Sequence, residues 1–248
     1  MKNVALITGG GSGLGKACAE LLRAQGYIIA VLDLKIEPSQ TSEDIHIPCD
    51  VSNAAQVENA IAQIIKTFGN IRVCVNCAGI ASGERIIGFE APMPLEHFQN
   101  VININLIGTF NVMRCASFAM RKLDPMNQDG ERGVIINTAS IAAFEGQLGQ
   151  VAYSASKGGV ASMTLPAARE FADFGIRVVT IAPGLFQTPM MANIPEAAQE
   201  KLQQATLFPK RLGHAQEYAN CVLHIIQNSM YNGCTIRLDG GVRLNRGK

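Results

Sequence analysis

VALITGGGSGLGKACAELL (4–22) is the stretch that decides how the chain reads. Its first five residues are a short apolar run, as expected of a buried strand. From Leu14 the period changes: Leu14, Ala17, Cys18, Leu21 and Leu22 fall on one face of a helix. Between the two lies TGGGSGLG (8–15). Glycines there permit positive φ and let backbone N–H groups approach an anion at the helix N-terminus. A strand, a glycine loop and a helix in that order form a cradle for a dinucleotide pyrophosphate. Gly9, Ser12, Gly13, Leu14 and Gly15 are therefore expected at a cofactor.

The same alternation continues outward. Apolar strands are expected at 28–33, 45–50, 71–76, 133–139, 176–182 and 234–239. Helical spacing marks 14–25, 53–68, about 96–121, 151–174 and about 215–228. Near-continuous apolar strands alternating with amphipathic helices indicate a parallel sheet covered on both faces. The expectation is one α/β domain over 1–248, a Rossmann-type doubly wound parallel sheet of seven strands. Its nucleotide-binding half would end near residue 140, with the catalytic half after it. Residues 184–213 show no clear period, and a long patternless segment reads as a substrate lid.

Composition narrows the function classes. The 248 residues are 48% hydrophobic and 17% charged, which suits a compact globule rather than disorder. The net charge is +1 with acids and bases intermixed, so neither nucleic acid nor an anionic membrane is an expected partner. The apolar runs are too short for a transmembrane helix. The chain enters its first strand at once, which leaves no room for a cleavable address. A cytoplasmic setting, bacterial in type, is expected, with a mitochondrial matrix as the alternative.

The seven cysteines are scattered through apolar contexts and are expected to be reduced. Cys74 and Cys77 have C-x-x-C spacing, yet IRVCVNCAG reads as a strand. Residues i and i+3 of a strand point to opposite faces about 10 Å apart. A disulfide needs Cα atoms within about 7 Å. No second Cys or His pair completes a zinc set, so no metal is expected, and the four histidines read as surface or helix-end residues.

Asp33 ends the second strand, eighteen residues beyond Gly15. An acid there hydrogen-bonds the adenosine ribose and repels a 2′-phosphate, so NAD is expected over NADP. Ser12, where a phosphate reader would carry Lys or Arg, agrees.

The catalytic signal is AYSASKGG (152–159). Tyr153 and Lys157 stand at i and i+4, one helical turn apart on one face. A free phenol has a pKa of about 10 and is a poor base at neutral pH. A neighbouring ammonium favours the phenolate, which makes Tyr153 a candidate general acid/base. Ser140, in INTAS upstream, can hold a carbonyl or alcohol oxygen beside it. Gln147 and Gln150 either line a substrate pocket as amide donors or satisfy loop backbone.

Taken together, these residues resemble the short-chain dehydrogenase/reductase family over nearly the whole chain. TGGGSGLG resembles its nucleotide motif, and Cys49-Asp50-Val51 its adenine contact. Asn76-Cys77-Ala78-Gly79 is similar to its Asn-Asn-Ala-Gly motif, with Cys77 in place of the second Asn. The resemblance implies a catalytic tetrad of Asn105, Ser140, Tyr153 and Lys157. It implies cofactor contacts at Asp50, Val51, Asn76, Ala78, Gly79, Pro183, Gly184 and Thr188, with Lys157 on the nicotinamide ribose and Asn105 holding a relay water. It also implies a tetramer built on the helices at 96–121 and 151–174 and on the last helix and strand.

From about residue 132 the chain is most similar to members of the family that act on 3-hydroxyacyl-CoA. That similarity implies NAD-dependent oxidation of an acyl-CoA or another lipid-like secondary alcohol. A hydroxysteroid remains an alternative substrate, and a non-catalytic NAD-binding scaffold an alternative role. In the patternless segment, Leu185, Phe186, Met190, Met191, Ile194, Leu207 and Phe208 suit a lipid-like substrate or the core, and Lys201, Lys210 and Arg211 suit CoA phosphates or plain solvation.

Overall fold

In the computed structural model, residues 2–192 and 204–245 are described. The strands are β1 (Val4–Thr8), β2 (Ile28–Asp33), β3 (Ser39–Gln40), β4 (Asp44–Pro48), β5 (Val73–Asn76), β6 (Gly133–Thr138), β7 (Ile176–Pro183) and β8 (Thr235–Leu238). They form one sheet in the order β3-β4-β2-β1-β5-β6-β7-β8. Every pairing is parallel except β3 with β4. The expected seven strands are all present, and the eighth is a correction. β3 is two exposed polar residues paired antiparallel at the sheet edge, and it has no apolar pattern to announce it.

The helices are α1 (Gly13–Ala24), α2 (Ala54–Phe68), α3 (Leu95–Ile102), α4 (Gly108–Met120), α5 (Val151–Phe171), α6 (Pro189–Ala192) and α7 (Ala215–Gln227). They cover both faces of the sheet. Even-numbered residues of β1 and β2 pack with α2 and α4, whereas odd-numbered ones pack with α1 and α7. Strands buried on both faces explain the unbroken apolar runs of β1, β2, β6 and β7.

The single helix expected over 96–121 is three pieces. A π-helical turn, Asn103–Ile107, joins α3 to α4. It accommodates one wider loop of backbone, and such bulges concentrate at functional sites. Gly108 closes the turn against Val51: a Cβ there would come within 2.6 Å of Val51 Cγ2.

Part of the lid expected over 184–213, including Ile194 and Lys201, lies outside the described residues. Within the described part, Phe186 is 7% exposed and meets Tyr218 edge-on at 6.4 Å, so it belongs to the core. Leu207 and Phe208 are largely exposed.

Candidate active site

The β1–β2–β4–β5 ends build the nucleotide side of a cleft. Gly9 has φ +65°, and a Cβ on it would lie 2.8 Å from the Ala78 nitrogen. The loop is thus pressed onto the end of β5. Gly13 has φ +52° and faces Thr188, 3.6 Å from where a Cβ would stand. Ser12 precedes α1 in an extended conformation and makes no capping hydrogen bond with its side chain. The first N–H groups of α1 are therefore left without a side-chain cap, as anion binding at a helix start requires. Any Cβ on Gly9 or Gly13 would add bulk to a cradle that glycine alone leaves open. These residues fit a dinucleotide.

Asp33 is tied into the same loop. Its carboxylate accepts from Gly11 N and Lys35 N, each at 3.0 Å. Asp50 accepts from Ser52 N at 2.9 Å and Ser52 Oγ at 2.7 Å. Val51 is buried, and its carbonyl accepts from Asn111 Nδ2 at 2.8 Å. Thr8 Oγ1 accepts from both Cys77 N and Ala78 N at 3.1 Å, which fixes the turn after β5. Asn76 pairs with Asn137 across adjacent strands at 2.9 Å, both buried. Gly184 packs against Asp239, where a Cβ would stand 2.7 Å from the Asp239 Cβ.

The β6 end and α5 build the other side, which carries Ser140, Tyr153 and Lys157. Ser140 follows β6 and is 8% exposed, and its Oγ accepts from Ala142 N at 3.1 Å. The Ser140 side chain neighbours the Tyr153 phenol and favours its ionised form. Lys157 is buried and donates to the Thr138 carbonyl at 2.8 Å. Asn105, fully buried in the π-helical turn, accepts from Ile80 N at 2.8 Å and donates to Ile80 O at 2.9 Å and Ser156 Oγ at 3.1 Å. Gly79 sits between the two: a Cβ on it would be 3.0 Å from Asn105 Oδ1 and 3.6 Å from Lys157 Nζ. All four expected tetrad residues thus converge on one cleft.

The electrostatics differ from the sequence expectation. Burial pushes the Tyr153 phenol up, and the Ser140 side chain only partly offsets it. Lys157 Nζ lies 5.8 Å from the Tyr153 ring centroid and is directed at a carbonyl. Burial lowers its pKa from 10.5 to about 8. Helical i and i+4 spacing put the two on one face, but distance and desolvation decide the pKa. The charge on Lys157 alone does not make Tyr153 a phenolate.

Gln147 and Gln150 serve their own loop here. Gln150 Oε1 accepts from Gln147 N at 2.9 Å, and Gln147 Nε2 donates to Asn245 O at 3.1 Å. Arg211 forms two 2.8 Å hydrogen bonds to Glu217, which reserves it for that carboxylate.

Three residues escaped the sequence reading. Thr138 holds Lys157 through its carbonyl, and its hydroxyl donates to Asn76 O at 2.6 Å. Tyr218, fully buried on α7, meets the same hydroxyl at 2.7 Å. Glu145 binds Arg237 at 2.8 Å and Leu244 N at 3.0 Å, which ties the segment after Ser140 to the chain end. Thr138, two before Ser140 on β6, was the only one with a positional signal.

Comparison with known proteins agrees with this arrangement. The family model described as short chain dehydrogenase matches residues 3–199. The chain is 50% identical to 3-hydroxyacyl-CoA dehydrogenase type-2 of Bos taurus, covering 97% of this chain and 95% of that one. It is 34% identical to ipsdienol dehydrogenase of Ips pini, covering 97% of each. The crystal structure of 3-hydroxyacyl-CoA dehydrogenase type-2 from Mycobacterium avium superposes with a TM-score of 0.90 at 34% identity, covering 98% of this chain and 97% of that one. The chain is an oxidoreductase of the short-chain dehydrogenase/reductase family, whose members use nicotinamide cofactors.

Proposed function

We propose that the protein oxidises L-3-hydroxyacyl-CoA to 3-oxoacyl-CoA, reversibly, with NAD. The observation that carries the reading is the convergence of Ser140, Tyr153, Lys157 and Asn105 at the strand ends, facing the glycine cradle. The names of the relatives point to the CoA ester. Asp33, fixed on the glycine loop, favours a free ribose 2′-hydroxyl and hence NAD over NADP.

Bound NAD supplies the hydride acceptor and, when oxidised, a positive charge in the cleft. Tyr153 then takes the substrate hydroxyl proton at its phenolic oxygen. The charge of the oxidised cofactor would counter the burial that holds Tyr153 protonated. Ser140 donates to the substrate oxygen and positions it beside Tyr153. Lys157 would hold the ribose side of the cofactor, and it keeps positive charge near the phenol. Asn105 fixes the Ile80 backbone and borders Lys157 through Gly79.

The protein is further read as a homotetramer. α4 and α5 expose Phe110, Phe118 and Leu165, at 47%, 57% and 44% exposure. A groove of about 580 Å³ runs between them, lined by Phe110, Met113, Phe118, Met163, Pro166 and Phe171 among others. A contiguous apolar face of this kind marks an interface. The seven free cysteines suit a reducing compartment, the bacterial cytoplasm or a mitochondrial matrix.

The test is NADH formation from NAD with 3-hydroxybutyryl-CoA, with a hydroxysteroid alongside. Turnover of the CoA ester is expected. Oxidation of the steroid alone would keep the mechanism and replace the substrate. Failure of both with NADH still bound would favour a scaffold.

A further inference from the structure

Among the described residues Tyr218 is the largest side chain that is fully buried. It stands on the first turn of α7, and the reaction as read above gives it no part. A phenylalanine would fill the same space without a hydroxyl to desolvate. The hydroxyl therefore calls for a reason of its own, and its hydrogen bonds supply one.

That hydroxyl lies in a run of polar groups with a single direction. Thr138 Oγ1 donates to Asn76 O at 2.6 Å. A hydroxyl carries one proton, so at the 2.7 Å contact between Thr138 Oγ1 and the Tyr218 oxygen it is the phenol that donates. The Cys77 thiol donates to the Tyr218 oxygen at 3.9 Å. The run leads from Cys77 S–H to Tyr218 O–H, to Thr138 O–H and to the Asn76 carbonyl, and each member polarises the next.

The last two members flank Lys157. The Thr138 carbonyl accepts its ammonium at 2.8 Å. Asn76 opens the turn that carries Gly79, where a Cβ would stand 3.6 Å from Lys157 Nζ. The Tyr218 ring has a separate task. It meets Phe186 edge-on at 6.4 Å, and Gly213 closes on the same ring, where a Cβ would come within 2.7 Å of Phe186 Cε1. The ring thus packs the segment after Gly184, and the hydroxyl braces the ends of β5 and β6.

We propose that Tyr218 is a positioning residue: through Thr138 and Asn76 its hydroxyl sets the seat of Lys157, and with it the strength of nicotinamide-cofactor binding. The consequence for the cofactor rests on the NAD reading above, whereas the seat itself does not.

The experiment titrates NADH by fluorescence into the full chain, Tyr218→Phe, Lys157→Met and the double variant. Tyr218→Phe keeps the ring and should bind NADH about three- to tenfold more weakly, the span of one ordinary hydrogen bond. In the Lys157→Met background the same change should cost nothing further, because its effect runs through the ammonium. With 3-hydroxybutyryl-CoA, Tyr218→Phe should raise KM for NAD and leave KM for the ester within about twofold, a split that a smaller folded fraction does not produce. Tyr231→Phe, which alters a phenol stacked on His224 outside this run, should bind NADH like wild type.

An unchanged NADH affinity in Tyr218→Phe would overturn the proposal, as would an equal loss in both backgrounds. Where Tyr218→Phe does not fold, Thr138→Val breaks the run at its next member, keeps the carbonyl and carries the same two expectations. If wild type binds no NADH, the cofactor reading falls, and urea unfolding of the same four proteins decides the seat. Tyr218→Phe should then raise the unfolding equilibrium constant more in the wild-type background than in Lys157→Met. An equal rise in both would sink the seat as well.

Discussion

Lys157 donates its hydrogen bond to the carbonyl of Thr138 at 2.8 Å and stands 5.8 Å from the ring centre of Tyr153. The ammonium is buried, and among the described residues its one hydrogen bond is to a neutral acceptor. A buried cation with so little compensation is destabilised relative to its neutral form, which is why its pKa falls to about 8. Placement of this residue in the buried turn beside Tyr153 therefore opposes stability.

That opposition has a measurable sign. In the unfolded chain Lys157 keeps its proton up to about pH 10.5, and in the folded protein only to about pH 8. Between those values unfolding takes up a proton, so raising the pH favours the fold. The contribution is complete above the unfolded value and is lost as pH falls through 8. It amounts to at most ~3 kcal/mol. Lys157→Met removes the term. Comparing urea unfolding of the two proteins from pH 7 to pH 10.5, wild type should gain on the variant as pH rises. A constant difference would show that Lys157 is not desolvated as described.

Tyr153→Phe should lower the rate of alcohol oxidation by at least about 100-fold, the lower range for an acid/base group. NADH affinity should stay within a few fold, because the ring still fills its place on α5. Ser140→Ala should also act on kcat, since its side chain neighbours the phenol. In wild type the oxidation rate should rise with pH as Tyr153 ionises, and burial sets that rise higher than for an exposed, cation-paired phenol. The pH profile of kcat/KM checks this.

Much of the fold was legible because its strands are buried on both faces. Such strands must be apolar throughout, and the helices between them must show one apolar face. β3 was illegible for the converse reason: Ser39 and Gln40 bury nothing, so only pairing with β4 defines them. The division of the 96–121 helix was hidden because a π-helical turn leaves the helix axis continuous and keeps side chains near helical spacing. Only Asn105, a polar residue in an apolar run, marked it. Ser140, Tyr153 and Lys157 were legible because their chemistry resides in side chains at fixed spacing. Thr138 was not read because it grips Lys157 by a backbone carbonyl, which any residue has. Tyr218 contributes from 80 positions away on another helix, and no local pattern connects it to β6.

Asp33→Ser should shift cofactor choice. The carboxylate is held on the loop by Gly11 N and Lys35 N, so it cannot swing away from a 2′-phosphate. Removing it takes away the fixed negative charge that opposes a 2′-phosphate. The ratio of kcat/KM for NAD to that for NADP should fall by at least about tenfold, equivalent to ~1.4 kcal/mol. A ratio unchanged in the variant would place cofactor discrimination elsewhere.

Phe118→Glu tests the exposed face of α4. Phe118 is 57% exposed, with the Arg121 guanidinium 4.1 Å from its ring centre. A carboxylate there is harmless on a free surface, where Arg121 would pair with it. Inside an apolar interface it must be desolvated, which is costly. Sedimentation should show wild type as a tetramer and the variant as smaller species. A variant that sediments like wild type would remove this face from the interface.

The last prediction concerns the π-helical turn. Asn105 engages both backbone polar groups of Ile80, accepting from its N–H and donating to its carbonyl. It also donates to Ser156, whose Oγ donates to Tyr153 O at 2.7 Å. One amide thus joins the segment after Gly79 to the helix that carries the acid/base residue. Asn105→Ala leaves these buried groups unpaired, at roughly 1–3 kcal/mol each, and should lower both stability and kcat. Asn105→Asp separates the two effects. Its carboxylate still accepts from Ile80 N but cannot donate to Ile80 O, and it places negative charge beside Gly79, where Lys157 Nζ approaches. That charge should raise the Lys157 pKa and draw the ammonium from Thr138. NADH affinity and kcat should then fall further than the loss of stability alone explains. If Asn105→Ala and Asn105→Asp lose kcat in the same proportion as stability, Asn105 is a structural clamp with no hold on Lys157.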